Sequence, residues 1–146
     1  MRPRRLGTAL LALALALASL GAGQPHRLEA SCSRGWIKFW GGGKVHLEGK
    51  GSLLIKNASN LQVDVKGKWG EKTDLMDGTQ YMYFEGTVDS VGPGAHLEIR
   101  GWNLRISVHG RGKAHFRGLG TYRLNGGPEV SWTDDPDKWT KVEFKK

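Results

Sequence analysis

With 146 residues, 22 glycines and a formal charge of +8, the chain has room for one domain and favours anionic partners. Its lone cysteine, Cys32, excludes an internal disulfide. The Gly-x-Ser-x-Gly elbow, the His-Glu-x-x-His helix and the Cys-x-x-Cys pair are missing from the sequence; we expect a non-enzymatic protein with no cofactor and no metal.

Arg2, Arg4 and Arg5 precede a Leu/Ala-rich run from Leu6 to Leu20, and the small residues Gly21-Ala22-Gly23 follow. This is the layout of a secretory signal peptide. Residues 1–23 are therefore expected to be removed, after Gly21 or Gly23, and the protein to be exported to the periplasm or outside the cell. The apolar run is short for a spanning helix, which needs about 20 residues, so no transmembrane segment is expected after cleavage. Residues 24–34 read as an irregular lead-in, and 35–146 as a single all-β domain. Cys32 lies too far beyond the apolar run for lipid attachment, leaving an intermolecular bond or a buried thiol.

From Ile37 onward the odd positions are apolar or glycine: Phe39, Gly41, Gly43, Val45, Leu47, Gly49, Gly51, Leu53 and Ile55, then Leu61, Val63, Val65, Gly67 and Trp69. Alternation with period two gives a strand one dry face and one wet face. An octad Gly-x-Gly-x-Φ-x-Φ-x, with Φ apolar, starts at Gly41, Gly49, Gly110 and Gly118. It divides the domain into related halves, 36–69 and 95–124. Between them, Tyr81/Tyr83 and Met82/Phe84 are expected on opposite faces of one strand, and Gly92-Pro93-Gly94 marks a turn. After the break at Asn125-Gly126-Gly127-Pro128, Val130 with Trp132 and Val142 with Phe144 are expected as closing strands. No stretch has sustained helical periodicity. Three readings fit the paired glycines: tight turns, kinks inside long strands, or the corners of a coil. Unbroken parity across each pair favours kinks. We expect an antiparallel β-sandwich or partly closed barrel with glycine-kinked repeated strands, the alternative being a short β-solenoid.

The longest run of unbroken parity is 104–124. Leu104, Ile106, Val108, Ala114, Phe116, Tyr122 and Leu124 share its dry face with glycines, and the wet face is basic. Arg105, Arg111, Lys113, Arg117 and Arg123 are the expected contact row, with Trp36 and Trp40 as aromatic neighbours. Exposed indoles beside cations suit sugar stacking or an anionic polymer. The competing readings are cations that solvate a β surface and guard its edges, and tryptophans capped by the C-terminal tail. By parity Trp69 and Trp102 belong in the core.

His46, His96 and His115 occupy matching places in the repeats, with Glu48 and Glu98 nearby. They would bind an ion only if their strands converged within about 2 Å of it, and a pH-responsive row suits them better. Gly41-Gly42-Gly43-Lys44 lacks phosphate-loop spacing, and Asp134, Asp135 and Asp137 read as a solvated turn. Asn57-Ala58-Ser59 matches a glycosylation acceptor. The functional expectation is an exported β-domain acting as a non-enzymatic binding module in the cell envelope or outside the cell. Its partner would be an anionic polysaccharide or an acidic protein, with no nucleic acid expected. The alternatives are a structural envelope protein that assembles with copies of itself as a homo-oligomer, the acidic stretch 71–89 meeting the basic second half, and, more remotely, a small hydrolase.

Overall fold

The computed structural model describes residues 26–56, 61–133, 135 and 137–144. The expected leader, Asn57-Ala58-Ser59 and Asp134 lie outside them. The six elements among these residues are all strands: β1 Arg27–Lys56, β2 Gln62–Lys68, β3 Glu71–Leu75, β4 Gly78–Leu124, β5 Val130–Ser131 and β6 Thr140–Phe144. Every pairing is antiparallel and all belong to one sheet. The segment read as an irregular lead-in is strand from Arg27 onward.

β1 and β4 are far longer than the usual strand of about 5–6 residues, because the Gly-x-Gly pairs bend the chain without ending its ladder. Gly41, Gly43, Gly49, Gly51, Gly110, Gly112, Gly118 and Gly120 all lie inside β1 or β4. The paired glycines are thus kinks, and even Gly92-Pro93-Gly94 is a corner along which β4 continues beside β1. β4 runs along both edges of β1. His109 pairs with Arg27 on one side and Lys44 on the other, and His96 with Trp40 and Lys56. The β1/β4 ribbon therefore winds back onto itself. β2 and β3 end the sheet on one side, β5 and β6 on the other, and it stays open rather than closing into a barrel.

Two rows of buried side chains show how the winding makes a core. One row crosses the sheet through Leu28, Val108, Val45 and Ser90, the other through Phe116, Ile37, Ile99, Leu53 and Tyr81. Among the described residues no helix covers either row, and the buried residues form one cluster. The sheet folds over so that the rows cover each other, as in a β-sandwich. In the first layer lie 36–40, 52–56, 78–82, 95–100, 113–117 and β6. The second holds 27–32, 44–48, 87–91, 104–109, 121–124 and β2. Phe116 of the first layer stacks on Tyr122 of the second at 5.8 Å and on Trp132 at 4.6 Å.

Parity from 104 to 124 holds, with Leu104, Ile106, Val108, Ala114 and Phe116 buried. Elsewhere it fails at single extra residues. Asn103 has φ 54° and Tyr83 φ 55°, the left-handed conformation typical of a bulge. Each bulge shifts the following chain by one position. Trp102, expected in the core beside Leu104, is therefore 57% exposed, and Tyr83 is 75% exposed while Tyr81 and Phe84 are both buried. Trp69 also departs from expectation. Between β2 and β3 it meets the Tyr81 ring edge-on at 5.1 Å between centroids, and 39% of it is exposed. Cys32 is a buried thiol, and burial pushes its pKa up to about 11.

Candidate functional site

The fold divides the basic row. The strand carrying it passes from the second layer (104–109) over a corner into the first (113–117), then back (121–124). Arg105 and Arg123 consequently face outward from the second layer, among acids. Arg105 pairs with Glu48 at 3.6 Å, and both arginines line a cleft of about 320 Å³ that also holds Glu29 and Glu129. Arg111 and Lys113 sit at the corner beside Trp40 and Pro93. Arg117 alone joins Trp36.

Around Trp36 the cross-strand register builds a cluster that alternation along one strand could not reveal. Trp36 pairs with Arg100 on one side and Arg117 on the other. Arg100 lies 4.8 Å from the Trp36 ring centroid and Arg117 5.4 Å. Trp139, from the segment before β6, meets Trp36 edge-on at 5.1 Å and has Arg117 at 4.6 Å. Lys38 stands over both indoles, at 4.7 and 4.8 Å. Such cation–π contacts contribute about 0.5–1 kcal/mol each at exposed sites, and they hold long basic side chains in place before any ligand arrives. The C-terminal segment thus covers Trp36 in part, through an indole that shares the cations Lys38 and Arg117 with it.

Trp40 forms the second half of this face. His96 and His115 flank it at 5.0 and 4.8 Å, and Lys113 lies 5.3 Å from its ring. Burial lowers the pKa of both histidines, with neighbouring lysines adding to the effect at each and Glu98 opposing it at His96. His46 sits in the other layer, where a 2.7 Å bond to Asp89 raises its pKa and Glu48 adds to the rise. The three repeat histidines therefore do not converge, and among the described residues no group of three His, Cys, Asp or Glu side chains is placed to hold a metal. Glu48 and Glu98 likewise belong to opposite layers.

A groove of about 990 Å³ runs along the border of the Trp36 face, where the first layer turns into the second. Its floor is a line of glycines on four neighbouring strand segments: Gly118 pairs with Gly35, Gly35 with Gly101, and Gly101 with Gly51. One bank carries Arg117, Trp36 and Arg100; the other carries Leu119, Arg34, Trp102 and Lys50. Trp102, Tyr83 and Leu119 are the exposed apolar groups here. Glu85 is the one carboxylate of the lining, and it pairs with Lys50 at 3.5 Å and Lys68 at 3.6 Å. Sequence reasoning missed Lys38, Arg34, Lys50, Arg100, Trp102 and Trp139 as site residues. The one available signal was the recurrence of a basic residue before glycine, at Arg34-Gly35, Lys50-Gly51, Arg100-Gly101 and Arg117-Gly118, a pair that Lys66-Gly67 and Arg111-Gly112 repeat outside the groove. Comparison with protein families, with curated proteins and with solved structures found no match to this chain.

Proposed function

We propose that the protein is an exported, non-enzymatic binding module that holds an extended anionic polymer against the outer face of its first layer. The observation that carries this reading is the clustering of Lys38, Arg100 and Arg117 around Trp36 and Trp139, beside an open groove with further cations. Cations gathered on one face attract polyanions in a salt-dependent way, and ordered aromatic–cation stacks reduce the side-chain entropy lost on binding. The basic start and apolar run at the N-terminus support export.

The test is binding of the purified chain to anionic glycans and to poly-glutamate at low and raised salt. A Lys38→Ala/Arg100→Ala/Arg117→Ala variant is run beside an Arg105→Ala/Arg123→Ala variant. Salt-sensitive binding that only the first variant loses supports the reading. Absence of binding to any polyanion at low salt overturns it.

A second reading, assembly of copies through the β2/β3 edge, draws support from exposed Val63, Trp69, Leu75 and Met76 there. Lys66, Lys68 and Lys72 on the same edge oppose it, because lysines along an edge disfavour strand addition. Mass measured against protein concentration separates the two.

A further inference from the structure

The geometry points to an acidic polysaccharide as the occupant of the glycine-floored groove: a 1,4-linked β-uronic acid chain in a flat two-fold ribbon. This rests on the anionic-polymer reading above and narrows it to one ligand chemistry.

Five strand segments line the groove, and four of them each contribute one glycine to the floor and the basic residue that precedes it; the fifth, 82–85, contributes Tyr83 and Glu85. Neighbouring segments are antiparallel, so "preceding" points to opposite banks on successive segments. Arg117 and Arg100 lie on the bank of the first layer, Arg34 and Lys50 on the other. The cations therefore alternate from side to side at one strand spacing, about 4.8 Å.

That step is close to the length of one pyranose unit. In a two-fold β-1,4 ribbon, successive rings are turned over, so a carboxylate on every ring projects to alternate edges with the same step and alternation. An extended acidic peptide does not fit: its side chains advance about 3.3 Å per residue and return to the same side only after about 6.6 Å. Single-stranded nucleic acid carries its phosphates along one continuous backbone, not on two edges in turn.

The aromatic groups obey the same spacing. Trp102 and Tyr83 stand on segments separated by the Gly51 segment, two strand steps apart, and both rings are exposed. Rings one and three of a two-fold ribbon present the same face, so the two platforms can stack alternate sugars. The glycine floor lets the ribbon lie against backbone. Glu85 stands beyond Lys50 on the same bank and ends the cationic track there.

Calorimetric titration of the purified chain tests this with four probes: a β-1,4-mannuronate hexamer, cellohexaose as the neutral ribbon, hexa-glutamate and hexa-deoxythymidylate. The uronate is expected to bind at least ten-fold tighter than each of the others. Trp102→Ala should weaken uronate binding ten-fold or more, Trp102→Phe should retain most of it, and Arg34→Ala/Lys50→Ala should bring the uronate close to cellohexaose. Thermal melting checks that each variant is folded; Trp102 is exposed, so its replacement leaves the core intact. Equal affinity for hexa-glutamate or the oligonucleotide, or an unchanged affinity in Trp102→Ala, overturns this inference while leaving the anionic-polymer reading in place. No binding of any anionic probe overturns both.

Discussion

Replacing Gly51 by alanine separates the glycines that shape this fold from those that merely occupy it. Gly51 has φ 140°, and a Cβ there would fall on the carbonyl oxygen of Arg100, with the Gly101 Cα 2.9 Å away. Backbone in a region that L-residues avoid costs of order 1–3 kcal/mol. Forcing an added methyl against a neighbouring strand costs typically 1–3 kcal/mol more. The obstacle is backbone, which cannot move aside as a flexible side chain can. Gly51→Ala is therefore expected to lose about 2–6 kcal/mol, a large share of the roughly 5–15 kcal/mol that holds a typical domain together. Gly94 is the control: nothing lies within 4 Å of a Cβ there, and Gly94→Ala should gain about 0.4–1 kcal/mol by restricting the unfolded chain. Urea unfolding followed by tryptophan fluorescence and by circular dichroism measures both. A Gly51→Ala loss below about 0.5 kcal/mol, within the range of ordinary surface substitutions, or equal effects at both sites, would refute close strand approach as the reason for glycine in the groove floor.

Phe116 is fully buried between Trp132 and Tyr122, and Phe116→Ala is expected to cost about 3–5 kcal/mol in the same unfolding assay. His46, raised by its bond to Asp89, should show an NMR-monitored pKa above 6.5 that falls in Asp89→Asn. Because its folded pKa is the higher one, its contribution to stability is full below 6.5 and is lost as pH rises through the folded value. His96 and His115 act in the opposite sense. Their folded pKa values lie below 6.5, so their contribution is present above 6.5 and is lost as pH falls towards the folded values. Cys32, buried and raised to about 11, should resist maleimide labelling at pH 8 in the folded chain and react promptly in denaturant; fast labelling of the native protein would contradict its burial.

Much of the architecture was legible in the chain, because alternation is a property of one strand and needs no partner. Leu104 to Phe116, Ile37 with Phe39, Val45 with Leu47, and Val142 with Phe144 are buried as their parity requires. The octads marked the places where Gly41–Gly43, Gly49–Gly51, Gly110–Gly112 and Gly118–Gly120 bend the sheet. Parity went astray where the backbone takes an extra residue without a sequence marker. Asn103 and Tyr83 look like ordinary strand positions, yet their positive φ turns Trp102 and Tyr83 outward. Gly92-Pro93-Gly94 reads as a turn, yet its strand goes on pairing with β1.

The candidate site was less legible than the fold. Arg105, Arg111, Lys113, Arg117 and Arg123 share one wet parity, and the sequence by itself determined that all five point away from the core. Only the tertiary structure decided that Arg105 and Arg123 leave from one layer while Lys113 and Arg117 leave from the other. Register likewise joins Arg117 to Trp36 and Arg100, across segments far apart in the chain. The physical reason is that side-chain direction follows from local backbone geometry, whereas neighbours across strands depend on the ladder that the whole wound ribbon settles into.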